Sequence, residues 1–353
     1  MQLPEGLPAA VFIVHHMSAD TSGDAVVRAL RSSGPLECTQ ALDGEVFETG
    51  HVYLAPSDHH MMVGKDRIKI TKGARENRQR PAIDPLFRSA AVAHGNRVIG
   101  IVLTGYLDDG TAGLMAIQRC GGTCVVQDPA DAAYADMPLN ALAQVKVDHS
   151  VPLSEMGSLL TMLCQKKRGK RKAVPEDILI EAKIAERVLS DLPSVEALGE
   201  QVPFNCPGCG GVLWEMAEGD SLRYRCHTGH SFTAPVLLAE QTAKVEETLW
   251  VALRMLEERR NLLVKMSPSS GRMRPAVLEK LGPGNRAILA SAVERAKDAE
   301  VHILRIRAML RAGEGITDPS QHRVDRAKTP RTMGKKRLKR KVSAGARPVG
   351  AAA

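Results

Sequence analysis

RVIGIVLTGYLDDGTAGLMAIQRCGGTCVVQ, residues 97–127, reads as strand, turn, helix and strand in succession. RVIGIVLTG (97–105) and TCVVQ (123–127) are nearly continuous apolar runs, as in strands buried on both faces of a parallel sheet. Between them GTAGLMAIQRC (110–120) spaces its apolar residues by three and four, the period of a helix with one buried face. AAVFIV (9–14) repeats the strand pattern, and DAVVRALRSS (24–33) and LSEMGSLLTMLCQ (153–165) repeat the helical one. Residues 1–165 are therefore expected to form an α/β domain around a doubly wound, mainly parallel sheet of Rossmann-like type. Residues 45–70, with VFETGHVYLAP and then DRIKIT, read as an antiparallel or irregular insertion with turns at Gly50 and Gly64.

In an open parallel sheet, ligands and catalytic groups gather at the carboxyl ends of strands. VFIV runs into HHM and IVLTG into YLDDG, so His15 or His16 and Asp108 or Asp109 are candidates for one crevice. The Gly110 turn that opens the following helix is expected to aim backbone N–H groups at the same edge, which suits a developing oxyanion.

A second constellation lies in NCPGCGGVLWEMAEGDSLRYRCHTGHSF, residues 205–232. Cys206 and Cys209 form a Cys-x2-Cys pair, Cys226 follows a hairpin-length spacer, and His230 comes four positions later. Two such pairs at the ends of a short hairpin can close a tetrahedral site around one structural zinc. His227 competes with His230 for the fourth position; Gly229 lets the turn to His230 be tight, which favours His230. Cys38, Cys120, Cys124 and Cys164 sit in apolar or helical contexts, as ordinary buried thiols do.

The formal net charge of +8 is concentrated at one end. Residues 323–341 hold ten Lys/Arg against one Asp, so the remainder is nearly neutral and 313–353 reads as a basic, solvated tail. The metal-type segment 206–230 carries two Arg against three Asp/Glu, which argues against nucleic-acid binding there. An odd seven cysteines without an export signal argue against a disulfide framework. No run of 18 apolar residues occurs, so no membrane insertion is expected and the protein reads as cytoplasmic.

Residues 166–199 read as a basic linker followed by a helix, DILIEAKIAERVLSDL (177–192), and 200–235 as the zinc-ribbon-like module. Residues 236–312 hold two long helical patterns. Val245, Leu249, Ala252, Leu256 and Leu263 share one face; Leu289, Val293, Ala296, Ile303, Ile306 and Leu310 share the other. With SPSSGRMRP as the break between them, a helical hairpin or a coiled coil that makes a homo-oligomer is expected.

The ordered set VHHM, ALDGEVFETGHVYLAPSDHH, RPAIDPLFRSAA, IVLTGYLDDGTAGL, GGTCVVQDP, MPLNALAQV and VDHSVPL is similar, element by element, to the catalytic domain of the CheB chemotaxis methylesterases, over residues 2 to about 165. That family hydrolyses glutamate γ-methyl esters on chemoreceptors with a Ser-His-Asp triad, and many members also deamidate receptor glutamines. The resemblance implies a methylated chemoreceptor or related signalling protein as partner, His16 as the histidine and Asp109 as the aspartate. It extends to the catalytic domain, without a receiver domain. Residues 200–265 resemble an extension found in a branch of CheB-like proteins, a CPxCGG…RCxxGH segment before a long helix.

The family's serine sits on a Gly-Ala-Ser-x-Gly-Gly turn after the first strand, farther ahead of the histidine than the fifteen residues present here. MQLPEGLP matches the end of the helix after that serine, so the resemblance implies that the first strand, the nucleophile turn and most of the first helix are missing. Ser18 and Ser22 would lie on the wrong loop. The family's usual Met-Gly after Thr-Gly is here Tyr106-Leu107. Two readings follow: a methylesterase whose start lies farther upstream, or a catalytically inactive CheB-like binding or scaffold protein.

Overall fold

A computed structural model describes residues 3–167, 169–186, 192–216, 222–267, 282–284, 287 and 291–312. The basic tail, Leu289, and all of the SPSSGRMRP break except Ser267 lie outside the described residues.

The α/β domain carries two three-stranded parallel half-sheets. One has the order β2 (Glu37–Gln40), β3 (His51–Leu54), β1 (Val11–Ile13); the other runs β6 (Ile99–Val102), β7 (Thr123–Gln127), β8 (His149–Val151). Among the described residues β1 pairs only with β3 and β6 only with β7, so each half-sheet ends on one of these two strands. Helices α1 (Asp24–Ser32), α2 (Ile83–His94), α3 (Thr111–Arg119), α4 (Asp136–Gln144) and α5 (Leu153–Gln165) accompany the strands.

The 45–70 expectation is corrected in part. His51–Leu54 is the middle strand of a parallel half-sheet, in register with β1 and β2 through Val11↔Val52 and Cys38↔Val52. Its four residues are too few to display the long apolar run that marks a central strand, although Val52, Tyr53 and Leu54 are all buried. The rest of that segment is antiparallel, β4 (His60–Val63) against β5 (Ile68–Thr71), turning at Gly64 as expected. IDPLFRSAAVAH, given no element from its pattern, is α2; its proline stands in the first turn, where a missing N–H costs nothing. Tyr53, Met61, Leu86, Leu114 and Ile117 lie at the centre of the largest apolar core.

The helix expected after the basic linker is α6 (Glu176–Glu186), with Ile178 and Ile184 buried; residues 187–191 of its expected span lie outside the described residues. After the short α7 (Leu192–Glu196) comes an antiparallel sheet of order β12 (Ser231–Thr233), β11 (Arg223–Cys226), β10 (Val212–Met216), β9 (Gly199–Asn205). α8 (Ala234–Met266) follows directly, capped by the Thr233 side chain, and packs against α9 (Ala292–Ala312) through Leu263, Ala292 and Ala296 and the ion pairs Arg260–Glu300 and Arg307–Glu257. The expected faces hold for Leu263, Ala296 and Ile303, whereas Val245 and Val293 are exposed and Leu253 is buried instead.

Candidate active site and metal-ligand cluster

β1 delivers His16 and the loop after β6 delivers Asp109 to the same edge. His16 Nε2 lies 2.7 Å from Asp109 Oδ2. The structure brings these two together and separates the alternatives: His15 is exposed, and Asp108 is buried facing the Thr233 hydroxyl, with burial raising its carboxyl. Asp109 Oδ2 also accepts the Ile83 N–H at 2.7 Å, and Oδ1 receives longer contacts from Asp84 N at 3.4 Å and Asn77 Nδ2 at 3.5 Å. Asp109 therefore sits on the open N-terminal turn of α2, where unpaired backbone donors favour an anion. A carboxylate only accepts hydrogen bonds, so the shared proton is on His16 Nε2. Nδ1 then carries the lone pair, and no described residue hydrogen-bonds it. The imidazole remains 28% exposed, enough to meet a substrate.

The expected oxyanion donors are otherwise engaged. Gly110 N and Gly113 N donate to Asp84 Oδ1 at 3.1 and 2.6 Å, and Thr111 N donates to Asp108 O. A buried carboxylate at the start of α3 takes the N–H groups that would have faced a substrate. On the same loop, Leu107 has φ +63, a left-handed conformation that favours glycine, and Tyr106 stacks on Tyr134 with ring centroids 4.1 Å apart, both exposed.

Behind the pair lies a buried charge network that the sequence did not reveal. Glu76 receives Arg88 Nη2 at 2.7 and 2.5 Å and Arg225 Nη2 at 3.2 Å; Glu181 of α6 receives Arg223 Nη2 at 2.8 Å. Burial works to raise the Glu76 carboxyl, but the Arg88 and Arg225 guanidiniums outweigh it and hold it at about 2. Burial, and then the Asp109 carboxylate, push Asp84 up to about 7. The signs are opposite. Glu76 favours the fold above its ordinary 4.5 and loses that contribution as pH falls through about 2. Asp84 favours the fold below its ordinary 3.8 and loses that contribution progressively as pH rises through about 7. Asp84→Asn should consequently flatten the fall in thermal stability between about pH 4 and 7. Equal slopes for variant and parent would contradict this assignment.

Cys206, Cys209, Cys226 and His230 offer ligand atoms that all lie within 4.8 Å of one another. Tetrahedral ligation at ordinary bond lengths places two sulfurs about 3.8 Å apart and a sulfur and nitrogen about 3.6 Å apart. Cys209 Sγ and Cys226 Sγ are 3.7 Å apart, and Cys226 Sγ and His230 Nδ1 are 3.5 Å apart. The four residues fit a metal. His227 lies outside the cluster, its ring against Gly211. Cys38, Cys120 and Cys124 are buried, with desolvation raising each thiol, Cys124 to about 12.

A histidine held by an aspartate at the carboxyl edge of an α/β sheet is the pairing that hydrolases with a serine nucleophile use. The model of the CheB methylesterase family matches residues 1–160. A Leptospira interrogans protein provisionally named protein-glutamate methylesterase/protein-glutamine glutaminase is 35% identical over 164 residues, 46% of this chain and 84% of that protein. The Bordetella bronchiseptica protein-glutamate methylesterase/protein-glutamine glutaminase is 38% identical over 167 residues, 46% of this chain and 47% of its own length. The crystal structure of the Thermotoga maritima CheB methylesterase catalytic domain is similar at 28% identity and a TM-score of 0.43, covering 46% of this chain and 87% of that one. The chain belongs to the CheB methylesterase family, whose members are carboxylic ester hydrolases. It spans most of the Leptospira protein but about half the length of the Bordetella one, and the Cys/His module and long helices lie beyond the family match.

Proposed function

We propose that this chain carries the histidine and aspartate of a protein-glutamate methylesterase acting on methylated chemoreceptor side chains. The observation that supports this best is the 2.7 Å His16–Asp109 contact with Nδ1 left open. In the reaction, Nδ1 accepts the proton of a serine hydroxyl as its oxygen attacks the ester carbonyl carbon. Asp109 holds the tautomer and stabilises the imidazolium. The imidazolium then protonates the departing methoxy oxygen, methanol leaves, and water hydrolyses the acyl-enzyme to the glutamate carboxylate. On a side-chain amide the same sequence releases ammonia.

Among the described residues no serine hydroxyl hydrogen-bonds His16; Ser18 is exposed, and Ser22 Oγ accepts the Asp24 N–H at 3.4 Å. Among the described residues β1 and β6 each have one side without a strand partner; a further strand there would bring a nucleophile turn to the edge shared by His16 and Asp109. The second reading is a CheB-like binding or scaffold protein. Methanol release from methyl-glutamyl peptides separates the two.

The Cys3His cluster holds one structural zinc in this reading, with Cys206, Cys209, Cys226 and His230 as its ligands. Metal analysis after dialysis should return about one zinc per chain. Zinc-free protein with freely reactive thiols would end this assignment. Exposed Leu238, Trp250, Met255 and Leu262 on α8 and Leu304 and Met309 on α9 support self-association through the helices. Light scattering should then give a mass above that of one 38.1 kDa chain; a monomer would refute this part. No described helix is long and apolar enough to cross a membrane.

A further inference from the structure

The Cys/His module touches the loops around His16 and Asp109 at three places. Glu76 makes a single parallel bridge to Ser231 of β12, with Ser231 N donating to Arg75 O at 3.5 Å and Asn77 N to Ser231 O at 2.9 Å. From that anchored backbone the Asn77 side chain reaches the acidic pair, Nδ2 donating to Asp84 Oδ2 at 2.9 Å and lying 3.5 Å from Asp109 Oδ1. Leu107, two residues before Asp109, packs against the module's core of Leu213, Tyr224 and Phe232. The Thr233 hydroxyl faces Asp108, the residue preceding Asp109.

The metal-ligand turn is tied to the same loop. Gly229 N donates to Cys226 O and Cys226 N to His230 O, each at 3.0 Å, closing the turn that ends in β12. Arg225 bridges the two parts, Nη1 donating to Gly229 O at 3.0 Å and Nη2 to Glu76 Oε1 at 3.2 Å. Leu107 points the same way. A side chain at φ +63 is less favourable there than glycine, and its compensation is contact with the module.

We propose that the Cys/His module positions the His16–Asp109 pair, with Asn77 and Leu107 as the positioning residues, so that metal in the Cys3His cluster fixes the geometry of the pair. This rests on the reading of that cluster as a metal site. Without the metal, β12 loosens, Asn77 loses its backbone anchor, and the carboxylates of Asp84 and Asp109 lose a shared donor. The loss is local: the N–H groups of Ile83, Gly110 and Gly113, which donate to those carboxylates, become free to exchange.

Residue-resolved amide hydrogen exchange on the full chain tests this, before and after metal removal by a chelator, with metal content measured in both states. Exchange at Ile83, Gly110 and Gly113 should accelerate by about tenfold or more while Val125 and Val126 in β7 keep their protection. Asn77→Ala, with its metal still bound, should accelerate the same three amides. Leu107→Gly should accelerate Gly110 even though it relieves the left-handed strain. Unchanged exchange at the three amides after verified metal loss overturns the proposal. If metal removal unfolds the whole chain, metal-loaded Asn77→Ala decides: local acceleration upholds the role of Asn77, and unchanged exchange overturns it. Because exchange is read without turnover, failure of a longer, serine-bearing form to release methanol would count against the esterase reading alone.

Discussion

Glu76→Ala is expected to destabilise the folded protein by about 3–5 kcal/mol, as breaking a buried ion pair from one side does. Glu76 is 2% exposed, and its partners Arg88 and Arg225 are 1% and 0% exposed. Truncation leaves two guanidiniums in a place water cannot reach, and Glu181, 3.5 Å from Arg88 and 3.9 Å from Arg225, is already engaged by Arg223. These partners come from α2, α6 and β11, so the loss should be felt by the α/β domain and the Cys/His module together. Urea unfolding of variant and parent measures it. A change below about 1 kcal/mol would place the pair in the class of exposed salt bridges and refute the network's structural weight.

Asp109→Asn, made in a form of the protein with measurable esterase activity, should lower kcat by about 10⁴-fold while leaving the unfolding midpoint nearly unchanged. Asp109 Oδ2 accepts both the Ile83 N–H and the His16 Nε2–H, so an asparagine oxygen in that place keeps both bonds but loses the charge that stabilises the imidazolium. An asparagine amide in that place faces His16 Nε2 as a donor, and the imidazole must turn its lone pair to that side, leaving Nδ1 protonated and unable to serve as base. A loss of less than tenfold would mean that Asp109 does not set the tautomer.

The reading of the fold from sequence went furthest where strands were long and apolar. TCVVQ gave β7 residue for residue, and RVIGIVLTG contained β6. β2, β3 and β8 lie in apolar runs that are shorter or broken by polar residues, which periodicity does not separate from loops. The His16–Asp109 pair was legible because both residues follow such strands and fall in family motifs. The surroundings were not. Asp84, Glu76, Arg88 and Glu181 look in sequence like charges on solvated faces, and nothing local announces that partners from distant segments bury them. Asn77 likewise has a role only through Ser231, 154 positions away, which no window on the sequence spans. A signal for α2 was present and unused: Pro85 in a first turn with Asp84, ahead of LFRSAAVAH.

Methanol release from methyl-glutamyl receptor peptides is the most direct test of His16 and Asp109 as the proton-transfer pair of an ester hydrolase. It should compare residues 1–353 with a form that carries a strand and serine-bearing turn ahead of Met1. Residues 1–353 should show only the residual catalysis of a site without its nucleophile, roughly 10³- to 10⁴-fold over water. The longer form should turn over as a full triad does, and His16→Ala within it should remove most of that activity. Full turnover by residues 1–353, or a longer form indifferent to His16→Ala, would contradict the assignment.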